Sequence, residues 1–450
     1  MAYIAPFRAL RYDQSRVSLN DTITQPYDKI TGEMQAAYYQ ASPYNLVRII
    51  LGRRQPTDRP GDDPYSRAAD SFTDWRRQGI FLQDSQPSIY LYVQHFTVPG
   101  TKTELERRGF IALGRIEDYA TGVVYRHEQT LSKPKADRLE LLRATRAHFG
   151  QIFMLYSDPA GEIDRLLAPS GAPDMETIDE YDVSHKVWKI SDPSLIDLVR
   201  SGMRDKKLII ADGHHRYETA INYRNERRAQ AAANPTTGVP RERVSDGAPR
   251  AAEEAPYELM MMTLVNMDSP GLVILPTHRV VHGLPSFDST AFRDKARAYF
   301  RVEEIDPAFD GARAAAILRD AGRNATALLA VTPNRAFVLD NPKATDTGVL
   351  AGLSPRQQSL DVVQLHKALL EGVLGLSEES IRNQQNLSYI RDAGDALARV
   401  HRGAANVAFL MNPARMEQVR DIAFGGEVLP QKSTDFFPKL LTGFTIYALE

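Results

Sequence analysis

Ala211-Asp212-Gly213-His214-His215-Arg216-Tyr217-Glu218-Thr219-Ala220 follows the apolar run Leu208-Ile209-Ile210 and opens a stretch with helical spacing. A strand therefore feeds a helix through a glycine-containing turn, the connection of an α/β protein. The first N–H groups of such a helix have no intrahelical partner, and the helix dipole adds positive potential there. That geometry suits an anion, Arg216 sets a permanent cation beside it, and Gly213 lets the backbone approach a ligand closely. Asp212 is expected to cap the helix, and a carboxylate at that place also invites a magnesium ion or a proton-transfer role. Two imidazoles, His214 and His215, at a positive helix end are held nearer neutral, a cost that contact with a ligand would offset. A turn that merely stabilises the helix start is the alternative.

With 450 residues the chain is expected to form two or three domains, and 43 % apolar with 25 % charged residues is the balance of a globular protein with ample core. A net charge of −2 gives no support for a nucleic-acid partner. The absence of cysteine removes disulfides, thiolate zinc sites, cysteine nucleophiles and thiol redox chemistry together. MAYIAPFRALRYD shows no signal pattern and no apolar run reaches membrane length, so a cytoplasmic protein without a membrane partner is expected.

The pattern divides into three parts: an N-terminal α+β part over 1–108, a core over 109–284 and a C-terminal α+β part over 285–450. Strand-like runs at 110–116, 152–156, 186–190, 207–211 and 259–266 alternate with helical ones at 138–148, 194–204 and 215–232, which predicts a mixed α/β sheet covered by helices. The first part offers a helix at 66–78 and a strand at 89–97. The third offers helices at 292–300, 362–374 and 393–402 and strands at 325–331 and 406–411. Residues 234–256, rich in Pro, Gly, Ala and charge without periodicity, read as a mobile surface loop.

Other segments combine reactive side chains with backbone punctuation. In YRHEQTLSKPKADRLELL (125–142), His127 and Glu128 follow a strand-like run, with Lys133, Lys135 and Arg138 close behind. A carboxylate among cations stays ionised and can accept a proton from an alcohol, while the cations can hold phosphates; a solvated charged loop is the alternative. In VLPQKSTDFFPKLLTGF (428–444), Lys432, Ser433 and Thr434 form a non-helical stretch between two prolines and are ligand-binding candidates. Without the glycines of a P-loop this signal is weak, and Phe436 and Phe437 read as core. LPTHRVV pairs His278 with Arg279, and ASPYNLVRIIL after QPYDKI sets Arg48 in an apolar run; both segments read as structural, with Arg48, His278 and Arg279 as weaker candidates to line an anion pocket.

PYDKI, SPYNLVRIIL, RHEQT, SKPKADRL, ADGHHRYETA, LPTHR and PQKSTDFFPKL, in this order over nearly the whole chain, resemble the bacterial and archaeal domain-of-unknown-function 1015 family. More distantly, the HE segment followed by a strand–DGHHR–helix unit resembles the ParB/sulfiredoxin-like superfamily and its archaeal free-serine kinases. That resemblance implies a ParB/sulfiredoxin-like core with added N- and C-terminal parts. It also implies Glu128 as base, with Asp212, Gly213, His214, His215 and Arg216 around nucleotide phosphates. Sulfiredoxin chemistry is excluded by the missing cysteine. The ParB branch carries a glutamate-arginine-arginine turn and a DNA-binding domain, neither of which is present here.

The expected reaction is phosphoryl transfer from ATP or ADP to a small hydroxylated metabolite, with free L-serine favoured. His215, Arg216, Lys133 and the helix start would clamp the phosphates, with magnesium near Asp212, and Lys432 and Ser433 would close over the site. Two other readings stay open. His214 and Glu218, four apart, could join His127 or His278 in a metal-dependent hydrolase. A nucleotide-binding regulatory protein without turnover is the third.

Overall fold

LMMMTLVN, residues Leu259–Asn266, is a strand in which all eight residues are buried. Continuous burial marks a strand covered on both faces, and the architecture is built outward from it. The computed structural model describes residues 1–129, 132–233, 254–323, 325–343 and 348–449, so most of the expected 234–256 loop lies outside the described residues. Within the described residues the protein is a mixed α/β fold whose contacts form two units. One comprises Met1–Tyr125, Thr130–Leu272 and Pro438–Glu450, the other Arg126–Gln129 and Val273–Phe437. A boundary at 108 falls inside the strand Glu104–Arg115, so the expected first and second parts share a sheet.

The first unit contains β1 (Ile4–Ala5), β2 (Leu10–Tyr12), β3 (Phe81–Gln83), β4 (Ile89–Thr97), β5 (Glu104–Arg115), β6 (Val124–Tyr125), β7 (Ala147–His148), β8 (Ile152–Tyr156), β9 (Met175–Ile178), β10 (Ser184–Ile190), β11 (Leu208–Asp212) and β12 (Leu259–Asn266). A nine-stranded sheet runs β6-β11-β8-β12-β5-β4-β10-β9, with β1 also on β5. The β6–β11 and β8–β12 pairs are parallel and the others antiparallel. Gly109 on β5 faces Val265 on β12, and a Cβ there would stand 2.6 Å from Val265 Cγ2 and 2.7 Å from the Leu264 carbonyl oxygen. Only glycine allows that approach.

Local chemistry moves several helix starts. The helix Pro64–Arg77 begins earlier than the apolar pattern predicts because Asp63 accepts from Tyr65 N and Ser66 N and Pro64 fits the first turn. The helix expected at 138–148 spans Ser132–Thr145, and Ala147–His148 instead form β7.

In the second unit, β13 (Val273–Leu275), β14 (His278–Val281), β15 (Arg301–Ile305), β16 (Ala327–Val331), β17 (Ala336–Asp340), β18 (Leu387–Ile390), β19 (Val407–Met411) and β20 (Asp435–Phe437) follow. Six form an antiparallel sheet, β15-β17-β16-β19-β14-β18, and β13 pairs with β20. The helix expected at 362–374 starts as α over Asp361–Gln364 and continues with π geometry over Leu365–Val373. Phe436 and Phe437 are buried. The chain returns to the first unit through β21 (Tyr447–Ala448), which pairs with β7. Among the described residues no helix is long and apolar enough to cross a membrane.

Candidate active site

The turn after β11 is shaped by a bulge. Ile210 and Asp212 pair with the consecutive residues Met154 and Phe153 of β8, so Ala211 is one residue too many and the strand end is re-aimed. Gly213 follows with φ of +99°, and the 20-residue helix His214–Ala233 begins immediately after it. Tyr217 N donates to the Gly213 carbonyl at 2.9 Å. Gly213 therefore holds the position before the helix, and Asp212, expected as the cap, is instead the last residue of the strand. Its carboxylate is turned to cations: Oδ2 accepts from Arg216 Nη2 at 3.1 Å, and Oδ1 lies 3.5 Å from Lys439 Nζ.

Arg107 adds a third positive charge. It is buried, donates from Nε to Gln94 Oε1 at 3.0 Å and from Nη2 to the Pro438 carbonyl at 2.5 Å, and feels the Asp212 charge. Burial pulls its pKa down to about 9, with Tyr92 and Asp212 opposing. Gln94 also donates to the Lys439 carbonyl at 2.9 Å, so one amide ties Arg107 to the backbone that carries Lys439. Leu441 N donates to the Tyr92 hydroxyl at 3.2 Å, Tyr92 bonds His185 Nδ1 at 2.7 Å, and His185 Nε2 bonds Asp179 Oδ2 at 3.1 Å. Burial lowers the His185 pKa, and a neutral ring donating through Nε2 satisfies both bonds. Arg216 is fixed by a 2.5 Å bond from Nη1 to the Gln151 carbonyl.

This arrangement corrects the expected magnesium site. Both Asp212 oxygens already face cations, so Asp212 fits a divalent ion poorly. Among the described residues no three His, Asp or Glu side chains gather as metal ligands, and Glu218 of the hydrolase reading is ion-paired with Lys135 at 2.8 Å. The same ion pair joins Lys135, expected at phosphate, to the His214–Ala233 helix. His214 is buried in the first helical turn and His215 is partly exposed. The Lys133 side chain lies outside the described residues.

Arg216 also lines a cleft, with Tyr27, Ile50, Arg138, Phe149 and Thr442 among its walls. Segments quoted separately above thus meet here: QPYDKI supplies Tyr27, LVRIIL supplies Ile50 and KADRL supplies Arg138. The Arg138 guanidinium lies 4.2 Å over the Tyr27 ring and donates to the Ile50 carbonyl at 2.6 Å. Burial first, then Asp28, pushes the Tyr27 hydroxyl up to about 12. Arg48 is not among the lining residues; it donates to the Tyr39 carbonyl at 2.8 Å and stacks 4.4 Å over the Tyr39 ring.

Glu128 belongs to the second unit, and its surroundings there are well defined. Leu429 N donates to the His127 carbonyl at 2.7 Å and Gln129 N to the Leu429 carbonyl at 3.2 Å, which lays Glu128 along the 429–432 segment. Lys432, at φ of +58°, turns its backbone N–H to Glu128 Oε1 at 2.8 Å. Buried Arg279 fastens that turn by donating to the carbonyls of Lys432 at 3.1 Å and Gln431 at 3.4 Å, and it lies 4.8 Å over the Tyr389 ring. Burial lowers Arg279 to about 10 and His278 to about 4, and His278 Nδ1 accepts from Met411 N at 3.3 Å. Both are built into the unit's interior rather than set along an open pocket. His127, also buried, bonds Thr434 Oγ1 at 2.8 Å, and the Ser433 hydroxyl donates to the Pro430 carbonyl. These three candidates therefore secure the segment that carries Glu128.

Sequence reasoning missed Lys439, Arg107 and Tyr27. The Pro438-Lys439 step of PQKSTDFFPKL was a visible signal for Lys439, whereas Arg107 is one of several charges in ELERR and carries no signal of its own.

A family model described as a protein of unknown function (DUF1015) matches residues 4–363. No curated protein matches the chain. Among solved structures, the chain is similar to a conserved hypothetical protein from Pyrococcus furiosus, at 13 % identity and a TM-score of 0.33, over 70 % of this chain and 87 % of that one. A free serine kinase in complex with AMP is similar at 14 % identity and a TM-score of 0.34, over 70 % and 83 %. SbnI with a C-terminal truncation, from Staphylococcus aureus, is similar at 10 % identity and a TM-score of 0.34, over 74 % and 85 %.

Proposed function

The chain belongs to the DUF1015 family, and we propose that it is a phosphotransferase that moves a phosphoryl group from a nucleotide to a hydroxylated metabolite, free L-serine being the favoured acceptor. The observation that carries this reading is the convergence of Arg216 and Lys439 on Asp212 at the start of a 20-residue helix. Positive charge, a glycine turn and outward N–H groups together make a site for phosphate. Phosphoryl transfer asks mainly for such charge neutralisation and for positioning. Arg216, Lys439 and the backbone at His214 and His215 hold the donor phosphates. Asp212 keeps Arg216 and Lys439 in place, and the cleft of Tyr27 and Phe149 takes the nucleobase. Glu128, its carboxylate aimed by the Lys432 N–H, takes the proton of the acceptor hydroxyl. The preference for serine rests on the resemblance of the HE and DGHHR segments to the free-serine kinases. Magnesium is supplied with the nucleotide in the assay, and no step above depends on it.

The test is to incubate the protein with magnesium, ATP or ADP, and L-serine and to follow O-phosphoserine by mass spectrometry. Glu128→Gln is expected to abolish product while nucleotide still binds. Full activity in that variant would overturn the base assignment. Nucleotide binding without product across a panel of hydroxylated metabolites would make the protein a regulator instead.

A further inference from the structure

The second unit holds a larger cleft, whose walls also include Leu429 and Ser433 of the segment that carries Glu128. It is formed where the helix Gly311–Ala321 ends, where the helix at Asp361 begins, and where the 412–415 segment leaves β19. Its walls combine opposite charges. Arg319 and Arg415 are exposed, while Asp361 is partly buried. Arg415 acts on Asp361 electrostatically, yet among the described residues the two form no ion pair. A carboxylate and a guanidinium are thus held within electrostatic reach with open space before them.

We propose that this cleft binds a small zwitterion of the α-amino-acid type, with Asp361 receiving the ammonium and Arg415 the carboxylate. A ligand carrying both charges meets both the carboxylate and the guanidinium that line this cleft. An ammonium at Asp361 supplies the positive charge that its burial lacks, and guanidinium is the natural partner of a carboxylate. Consistent with this, burial pushes the Asp361 carboxyl up to about 6 in the empty cleft, and the charge of Arg415 only partly opposes the shift. A lone amine would leave the arginines unmatched, and a lone carboxylate would meet the Asp361 charge.

The experiment is calorimetric titration of the full chain, without nucleotide, with L-serine, L-alanine, ethanolamine and 3-hydroxypropionate. Losing one buried charged partner weakens binding by about tenfold or more, so the amino acids are expected to exceed both single-charge analogues by that factor. Asp361→Asn, nearly isosteric, is expected to make serine and 3-hydroxypropionate equivalent. Arg415→Gln is expected to make serine and ethanolamine equivalent. No heat from either amino acid, or wild-type serine affinity in both variants, overturns the proposal. The O-phosphoserine assay on the same variants reads the phosphotransfer proposal separately, because neither residue belongs to its machinery.

Discussion

Asp212→Asn removes the negative charge around which Arg216 and Lys439 are arranged. At an effective dielectric constant of about 20, unit charges at the 3.1 Å and 3.5 Å separations of Arg216 and Lys439 attract Asp212 by roughly 5 kcal/mol each. Side-chain exposures of 23 % for Asp212, 17 % for Arg216 and 8 % for Lys439 keep solvent screening modest. Desolvation already suffered by the folded state offsets most of that attraction, which leaves a net loss of about 2–4 kcal/mol in phosphate-free buffer. The chain has two tryptophans, Trp75 and Trp188, and both lie in the first unit, so tryptophan fluorescence in urea reports on that unit alone. Pyrophosphate should then restore more stability to the variant than to the wild type, because an added anion replaces the missing carboxylate and no longer competes with it. A variant within about 0.5 kcal/mol of wild type, with pyrophosphate affinity unchanged or weaker, would refute the arrangement.

Further outcomes follow from single contacts. Lys439→Met should weaken pyrophosphate and ADP binding by about tenfold or more in titration calorimetry, while Lys135→Met, which breaks a pair with Glu218, should leave both within about twofold. Gly109→Ala should cost about 1–3 kcal/mol in urea unfolding, since the added methyl meets Val265 and the Leu264 carbonyl below 3 Å. The Asp361 carboxyl, raised from 3.8 to about 6 by burial, keeps its proton in the folded state where the unfolded chain has lost it. Its contribution is therefore complete below about pH 4, declines as pH rises to about 6 and is flat above, a loss of up to about 3 kcal/mol. The calorimetric stability of Asp361→Asn should lack that slope.

What the sequence revealed and what it hid divide along physical lines. The strand-to-helix turn was legible because Gly213 in an apolar-then-helical context has few other uses, and φ of +99° is the conformation it serves. The Leu259–Asn266 strand and the burial of Phe436 and Phe437 were legible because hydrophobic pattern directly reflects burial. Lys439 was not, since it meets Asp212 across 227 residues and nothing periodic encodes such a pairing. Arg48 and Arg279, in segments read as structural, kept their partners hidden for another reason. An arginine in an apolar run needs acceptors, and here those acceptors are carbonyls and an aromatic face, which every sequence offers and none advertises. The Glu128 carboxylate is oriented by a backbone N–H at a left-handed lysine, a conformation that lysine does not signal.

The segment carrying Lys439 is separated from the rest of its unit by the whole of Val273–Phe437. On the ribosome, more than 160 residues of another folding unit must therefore emerge after β12 before that lysine can reach Asp212 and before β21 can join β7. Domains usually fold in the order they are made. Here the first-made unit is also the last to be completed, so a polypeptide released early could bury most of its central sheet and still leave Asp212 without Lys439. Translation beyond residue 439 thus becomes a condition for closing the Asp212–Lys439 pair.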